Sequence, residues 1–199
     1  MCGKFEVKAA MKKVKKRFGL KLSPPPPQGI EMAPTDRILT IDGQSGQVRG
    51  RLLGWGLKVD WDSKPLINAR AETLSTKATF RPLLQRRCLV PATAYFEWAQ
   101  PPGFKSAGAK QKMRIHAKDR ELFAMAGLIG EDGDSVTIVT CTPAPEIATL
   151  HDRMPVILNP QDEAAWIDTR RAFNEVEKLL RPYDGGLQGE NVDQCPVLV

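Results

Sequence analysis

The chain opens Met1-Cys2-Gly3, so removal of the initiator methionine leaves a cysteine as the first residue. Such a residue carries an amine and a thiol on adjacent carbons, with ordinary pKa values of about 8 and about 8.5, so each is partly available near neutral pH. An aldehyde meets this pair in two steps: the amine forms an imine, then the thiolate closes a five-membered thiazolidine. An internal cysteine or a lysine cannot make that ring. Taken alone, a cysteine in second place is more often incidental.

Three further segments hold residues suited to chemistry. Asn68, Arg70, Glu72 and Thr73 follow the apolar Pro65-Leu66-Ile67, where a strand end enters a helix. A planar amide and a guanidinium there can orient a reacting group or hold phosphate, or serve as ordinary capping and ion pairs. In Tyr95-Phe96-Glu97-Trp98, period-two alternation puts Tyr95 and Glu97 on one face and Phe96 and Trp98 on the other. A carboxyl among aromatics is a candidate for a raised pKa and acid/base work, with a solvent-facing glutamate as the alternative. His151 falls between an expected helix and an expected strand, a junction from which side chains reach clefts. His116 lies within an apolar-basic strand and reads as structural.

The elements that must position these residues are mainly strands. Val7, Met11, Val14 and Phe18 form one stripe of an amphipathic helix, with lysines opposite and Gly19 as C-cap. The four prolines between Ser23 and Gly29 exclude a helix there. Strands are expected at 37–41 and 48–53 around the turn Asp42-Gly43-Gln44-Ser45-Gly46, then at 87–90 and 93–98, broken at Pro91. A meander follows at 112–117, 122–129 and 135–140, with Glu131-Asp132-Gly133-Asp134 as one turn. Helices are expected at 71–84, 143–150, 160–169 and 171–180. Strands outnumber helices without alternating with them, so the fold class is α+β: one domain over 1–199 around a mainly antiparallel, barrel-like sheet with flanking helices.

Composition narrows the partners. The 199 residues are 42% hydrophobic and 26% charged, which excludes disordered and fibrous chains. No apolar run reaches the roughly 18 residues of a membrane span, and no secretory signal follows the basic N-terminus, so a cytoplasmic protein without a membrane partner is expected. The net charge is +6, and residues 1–21 hold eight basic side chains against the single acid Glu6. That segment suits a polyanion partner or a solvated helix face equally. Cys2, Cys88, Cys141 and Cys195 form no CxxC pair and there are two histidines, so no zinc site of familiar spacing exists; neither metal nor cofactor is expected. Cys88 and Cys141 sit in apolar runs and read as reduced core residues.

In order along the chain, Cys2-Gly3, Asn68-Ala69-Arg70-Ala71-Glu72-Thr73, Arg87-Cys88-Leu89-Val90-Pro91, Tyr95-Phe96-Glu97-Trp98 and His151-Asp152-Arg153-Met154-Pro155 resemble the SOS-response-associated peptidase family over residues 2–167. Met32-Ala33-Pro34 and Trp55-Gly56-Leu57 also look like family landmarks. The resemblance implies a nucleoid-associated, monomeric sensor of abasic sites in single-stranded DNA. It would lose Met1 by autoproteolysis and crosslink Cys2 to the ring-opened sugar through a thiazolidine, with a weak lyase activity through the imine. It implies Cys2 as nucleophile, Asn68 as its positioner, Glu97 as proton relay and His151 as acid/base in ring opening. Arg70 would bind the DNA backbone. Single-stranded DNA binding needs a basic channel and an aromatic, for which Lys4, Arg81, Arg86 and Arg87 are candidate phosphate contacts and Trp61 a candidate stacking or wedging residue, with an ordinary surface or core role fitting each at least as well. The chain departs from the family pattern at Lys4, where arginine is usual, at Glu31, where asparagine is usual, at Ala94, where glycine is common, and in the tail around Cys195. Two other readings use the same residues: a cysteine peptidase acting on other proteins, and a non-catalytic binder of single-stranded DNA.

Overall fold

The computed structural model describes residues 2–21, 30–43, 46–99 and 110–192. Met1, the proline run, Gln44 and Ser45 of the expected turn, and the tail with Cys195 lie outside them. In chain order come β1 (Phe5–Glu6), α1 (Met11–Phe18), β2 (Glu31–Met32), β3 (Arg37–Asp42), β4 (Arg49–Trp55) and β5 (Leu57–Val59). β6 (Asp62–Leu66), β7 (Asn68–Arg70), β8 (Arg87–Ala92), β9 (Ala94–Ala99), β10 (Gln111–Ala117), β11 (Phe123–Ile129) and β12 (Ser135–Cys141) follow. The described chain closes with β13 (Met154–Pro155), β14 (Ile157–Leu158), α2 (Pro160–Ile167), α3 (Phe173–Val176) and β15 (Leu187–Asn191).

Two larger sheets make the architecture, and β5 and β6 form a separate two-stranded hairpin. β4, β3, β8, β11 and β12 pair antiparallel in that order, and a parallel pairing of β12 with β4 closes the ring into a small barrel. The second sheet runs β15-β10-β9-β1-β2, antiparallel throughout. The chain steps from barrel to second sheet at Thr93, between β8 and β9, where its backbone N–H donates to the Glu6 carbonyl at 2.8 Å. Ile38, Val90, Met125 and Ile138 are fully buried, each contributing about 1.5–3 kcal/mol through removal from water. The class is therefore α+β with mainly antiparallel strands, as the sequence pattern indicates. No helix among the described residues is long and apolar enough to cross a membrane.

Several expectations are corrected. The stretch 71–84 is not a helix but two 3₁₀ turns, Ala71–Thr73 and Arg81–Leu83. Thr73 and Thr76 donate their hydroxyls back to the Arg70 and Thr73 carbonyls, and Pro82 has no N–H to give, so the helical ladder is not sustained. Residues 143–150 form only the turn Pro145–Ile147, for the same lack of proline donors. The first helix begins at Met11 rather than Val7, because the Val7 N–H is already held by the Ile30 carbonyl at 2.9 Å. β8 continues through Pro91 to Ala92: β3 pairs β8 only at Cys88 and Leu89, so that side of the strand is an edge at Pro91 and tolerates a residue with no N–H. β1, β2, β5, β7 and β15, too short or too polar to show a period, are among the strands the pattern does not reveal.

Candidate active site

Four of the singled-out residues come from four distant parts of the chain and meet where the barrel adjoins the second sheet. Cys2 lies three residues ahead of the first residue of β1 and is fully buried; its thiol donates weakly to the Lys4 carbonyl at 3.7 Å. Asn68 begins β7, which lies parallel to β12 with Asn68 opposite Ile138. Its Nδ2 donates to the Cys2 carbonyl at 2.9 Å, across 66 residues of sequence. Trp55 fixes this strand, since its indole N–H donates to the carbonyl of Ile67, next to Asn68, at 2.9 Å. Gly56 beside it has φ 128°, and a Cβ there would stand 2.7 Å from Pro65 Cβ, so no other residue fits.

Glu97 lies on β9, on the same face as Tyr95, and is 3% exposed. The alternation is as expected, and the solvent-facing alternative is excluded. Burial raises its carboxyl pKa to about 7, the charge of Asp152 adds to the rise and Lys110 opposes it. His151 precedes β13 and places Nε2 3.7 Å from Glu97 Oε2. Its Nδ1 meets the Arg153 backbone N–H at 3.0 Å and the Asp152 carboxylate at 2.8 Å. The backbone donor is fixed, whereas solvent competes for the 82% exposed carboxylate, so the proton of the neutral ring is assigned to Nε2, towards Glu97. Burial lowers the His151 pKa, against the opposing pull of Asp152, and favours that neutral ring. The Cys2 thiol is pushed far up by burial and then by the Glu97 charge.

Arg153 and Glu72 set this geometry although chain order gives them no more than an ordinary ion pair. The guanidinium is almost buried and forks onto the Glu72 carboxylate at 2.7 and 2.8 Å, with a third bond to the Thr140 carbonyl at 2.7 Å. That clamp ties the His151 loop to the end of β7 and to β12 at once. It also holds the Glu72 carboxyl below its usual range. The position of arginine within His151-Asp152-Arg153-Met154-Pro155 was the available signal. Asn68 Oδ1 and the Tyr95 hydroxyl are buried at the site without a hydrogen-bond partner among the described residues.

The positions singled out for DNA contact divide. Arg70 and Arg81 are exposed, and Trp61 stands 68% exposed at the tip of the β5–β6 hairpin. Lys4 is half-buried, with Nζ 3.0 Å from Glu31. Arg86 is half-buried and donates to the Gly130 and Glu131 carbonyls at 3.1 and 3.4 Å. Arg87 is a correction: it is fully buried, donating to the carbonyls of Leu84, Trp166, Asp168 and Arg171 and to Gln85 Oε1. It clamps β8 to the α2 end and presents nothing to a phosphate. His116 binds Glu190 at 2.9 Å, a structural role as read from its strand. Cys88 and Cys141 are free and buried. No cluster of three or more metal-ligating side chains occurs among the described residues.

Together the fold and the geometry define a small α+β protein in which Cys2 meets an amide, a buried carboxyl and an imidazole at the junction of barrel and second sheet. A family model described as SOS response associated peptidase (SRAP) matches residues 1–197, and the chain belongs to that family. YoqW of Bacillus subtilis (strain 168), named an abasic site processing protein, is 35% identical over 201 residues, covering 92% of this chain and 88% of that protein. YedK of Escherichia coli (strain K12) bears the same description at 28% identity over 164 residues, 78% of this chain and 72% of that one. Among solved structures, a phage-related protein of Bordetella bronchiseptica superposes with a TM-score of 0.79 at 26% identity, covering 97% of this chain and 95% of that one.

Proposed function

We propose that this protein processes abasic sites in single-stranded DNA by covalent capture on Cys2. After loss of Met1, the Cys2 amine adds to the aldehyde of the ring-opened sugar. The carbinolamine then loses water to give an imine. The thiol adds across the C=N bond, its proton going to nitrogen, and a thiazolidine results with no net oxidation or reduction. The observation that carries this reading is the placement of Cys2 beside a buried carboxyl whose pKa is raised to about 7, with the Nε2 of His151 3.7 Å from that carboxyl.

The order of events follows from the electrostatics. A thiol whose pKa is far above its ordinary value is a poor first nucleophile, so the amine reacts first. The positive charge of the protonated imine then favours the thiolate that closes the ring. Glu97, titrating near neutrality, gives a proton to the departing water and takes one from the thiol, and His151 serves the sugar oxygen during ring opening; each such transfer contributes about 10²–10⁴-fold. Asn68 holds the Cys2 backbone, leaving its own unpartnered Oδ1 and the Tyr95 hydroxyl to meet polar atoms of the sugar. The same imine acidifies the neighbouring carbon, which supports a slow β-elimination and strand cleavage. Arg70, Arg81, Lys4, Arg86 and Trp61 are proposed for the DNA path, and the proteolysis is limited to removal of Met1.

The test mixes purified protein with a single-stranded oligonucleotide carrying one abasic site, followed by a denaturing gel and intact mass. The expected result is a heat-stable adduct lacking the Met1 mass and absent from Cys2→Ala. Absence of any adduct from protein shown to have lost Met1 overturns the reading.

A further inference from the structure

The outer face of the second sheet carries a charge arrangement that the capture chemistry does not use. Glu31 on β2 pairs with two ammoniums at once: Lys4 Nζ at 3.0 Å, and Lys112 Nζ at 2.9 Å to Oε1 and 3.0 Å to Oε2. The Lys112 ammonium also lies 4.1 Å from the Phe96 ring centroid. Both lysines are mostly buried along their stems, so the triad is held in place rather than splayed into solvent. The hydrogen bond from Lys112, followed by that from Lys4, holds the Glu31 carboxyl below its usual range. Trp98 stands opposite Lys112 on β9 and is 40% exposed. The cluster adjoins the site: the Lys4 carbonyl accepts both the Cys2 thiol and the Phe96 N–H, at 3.7 and 2.9 Å.

Two ammoniums a carboxylate apart, beside an exposed indole, present what a nucleotide requires: paired cations for a phosphodiester and a face for a base. We propose that Glu31 occupies, in the free protein, the place of a backbone phosphate between Lys4 and Lys112, and so limits how tightly and how salt-dependently single-stranded DNA is held next to Cys2. An arriving phosphate displaces the carboxylate from the two lysines, and the carboxylate left beside it is repelled. This rests on the DNA-binding reading above and adds to it a residue that sets affinity.

The experiment measures fluorescence anisotropy of a labelled oligo-dT without an abasic site between 50 and 200 mM KCl, for the wild type, Glu31→Gln and Glu31→Ala. Removing the carboxylate frees two ammoniums for phosphate. For single strands each adds about 0.7 to the slope of log affinity against log salt, so the slope steepens by about 1.4. The affinity advantage of both variants over the wild type is then about sevenfold greater at 50 mM than at 200 mM. Adding Lys112→Met to Glu31→Gln removes one of the two and returns about half of the added slope. Equal slopes in wild type and variants overturn the proposal, as does tighter binding at an unchanged slope. The same holds if no protein binds, whereas binding confined to the Glu31 variants supports it. Adduct formation with the abasic oligonucleotide, run in parallel, reads the capture chemistry separately.

Discussion

Replacing Glu97 by glutamine exposes the electrostatic cost on which the site is built. Burial raises this carboxyl from 4.5 to about 7. Ionising it in place therefore costs about 3 kcal/mol more than in the unfolded chain. The folded state holds the proton more tightly, so the contribution of this group to stability is complete below pH 4.5. It is lost as the pH rises through 7, and above that the buried carboxylate is a standing penalty. Glutamine keeps the shape and cannot ionise, so the difference between variant and wild type isolates this group while the other titrating side chains cancel. Urea unfolding at half-unit steps from about pH 4.5 to 8.5 should show the Glu97→Gln protein gaining on the wild type by about 3 kcal/mol across the range, most steeply between about pH 5 and 7. The adduct-forming rate of the wild type should bend near pH 7, and that bend should vanish in the variant. Stability curves that run parallel over the whole range would refute the reasoning, because they would mean that Glu97 is solvated and no proton reservoir exists beside Cys2.

Other outcomes follow from the same geometry. Glu97→Gln should slow reversal of the crosslink more than it weakens DNA binding, and equal losses in a chase assay and a binding assay would remove the relay role. Changing the exposed Lys12 and Lys16 of α1 to glutamine should flatten the salt dependence of oligonucleotide binding; an unchanged slope would show that this helix never meets DNA. Arg87→Met should destabilise the fold by about 3–5 kcal/mol in chemical unfolding, since it removes a fully buried guanidinium that donates to the carbonyls of Leu84, Trp166, Asp168 and Arg171. Gly127→Ala should lower the melting temperature, because the new methyl would stand 2.9 Å from Cys88 Sγ in the closed barrel.

The strongest local patterns survived into the structure. Whereas the expected meander is broken, because β10 pairs β9 and β15 in the second sheet instead of β11, the alternation of Tyr95-Phe96-Glu97-Trp98, the β3–β4 and β11–β12 pairings and the buried stripe of Val14 and Phe18 are present. Each depends on residues within a few positions of one another, where side-chain period and turn chemistry decide the outcome. The helix expected at 71–84 failed because threonine hydroxyls and Pro82 compete with the backbone ladder, a local conflict that composition alone understates.

What remained hidden depends on distance along the chain. Chain order contains Cys2, Asn68, Glu97 and His151 and their chemical capacities, and it supports an α+β class and a basic N-terminal segment. It does not say that residues 66 apart share a hydrogen bond, or that Arg87 is a buried strut while Arg70 faces solvent. Whether Glu97 is an ordinary surface acid or a buried carboxyl with a raised pKa is decided by burial, and burial belongs to the packing of β9 against β1 and β10. Local sequence sets which groups are available; closure of the barrel and its junction with the second sheet sets their solvation, and solvation sets their pKa.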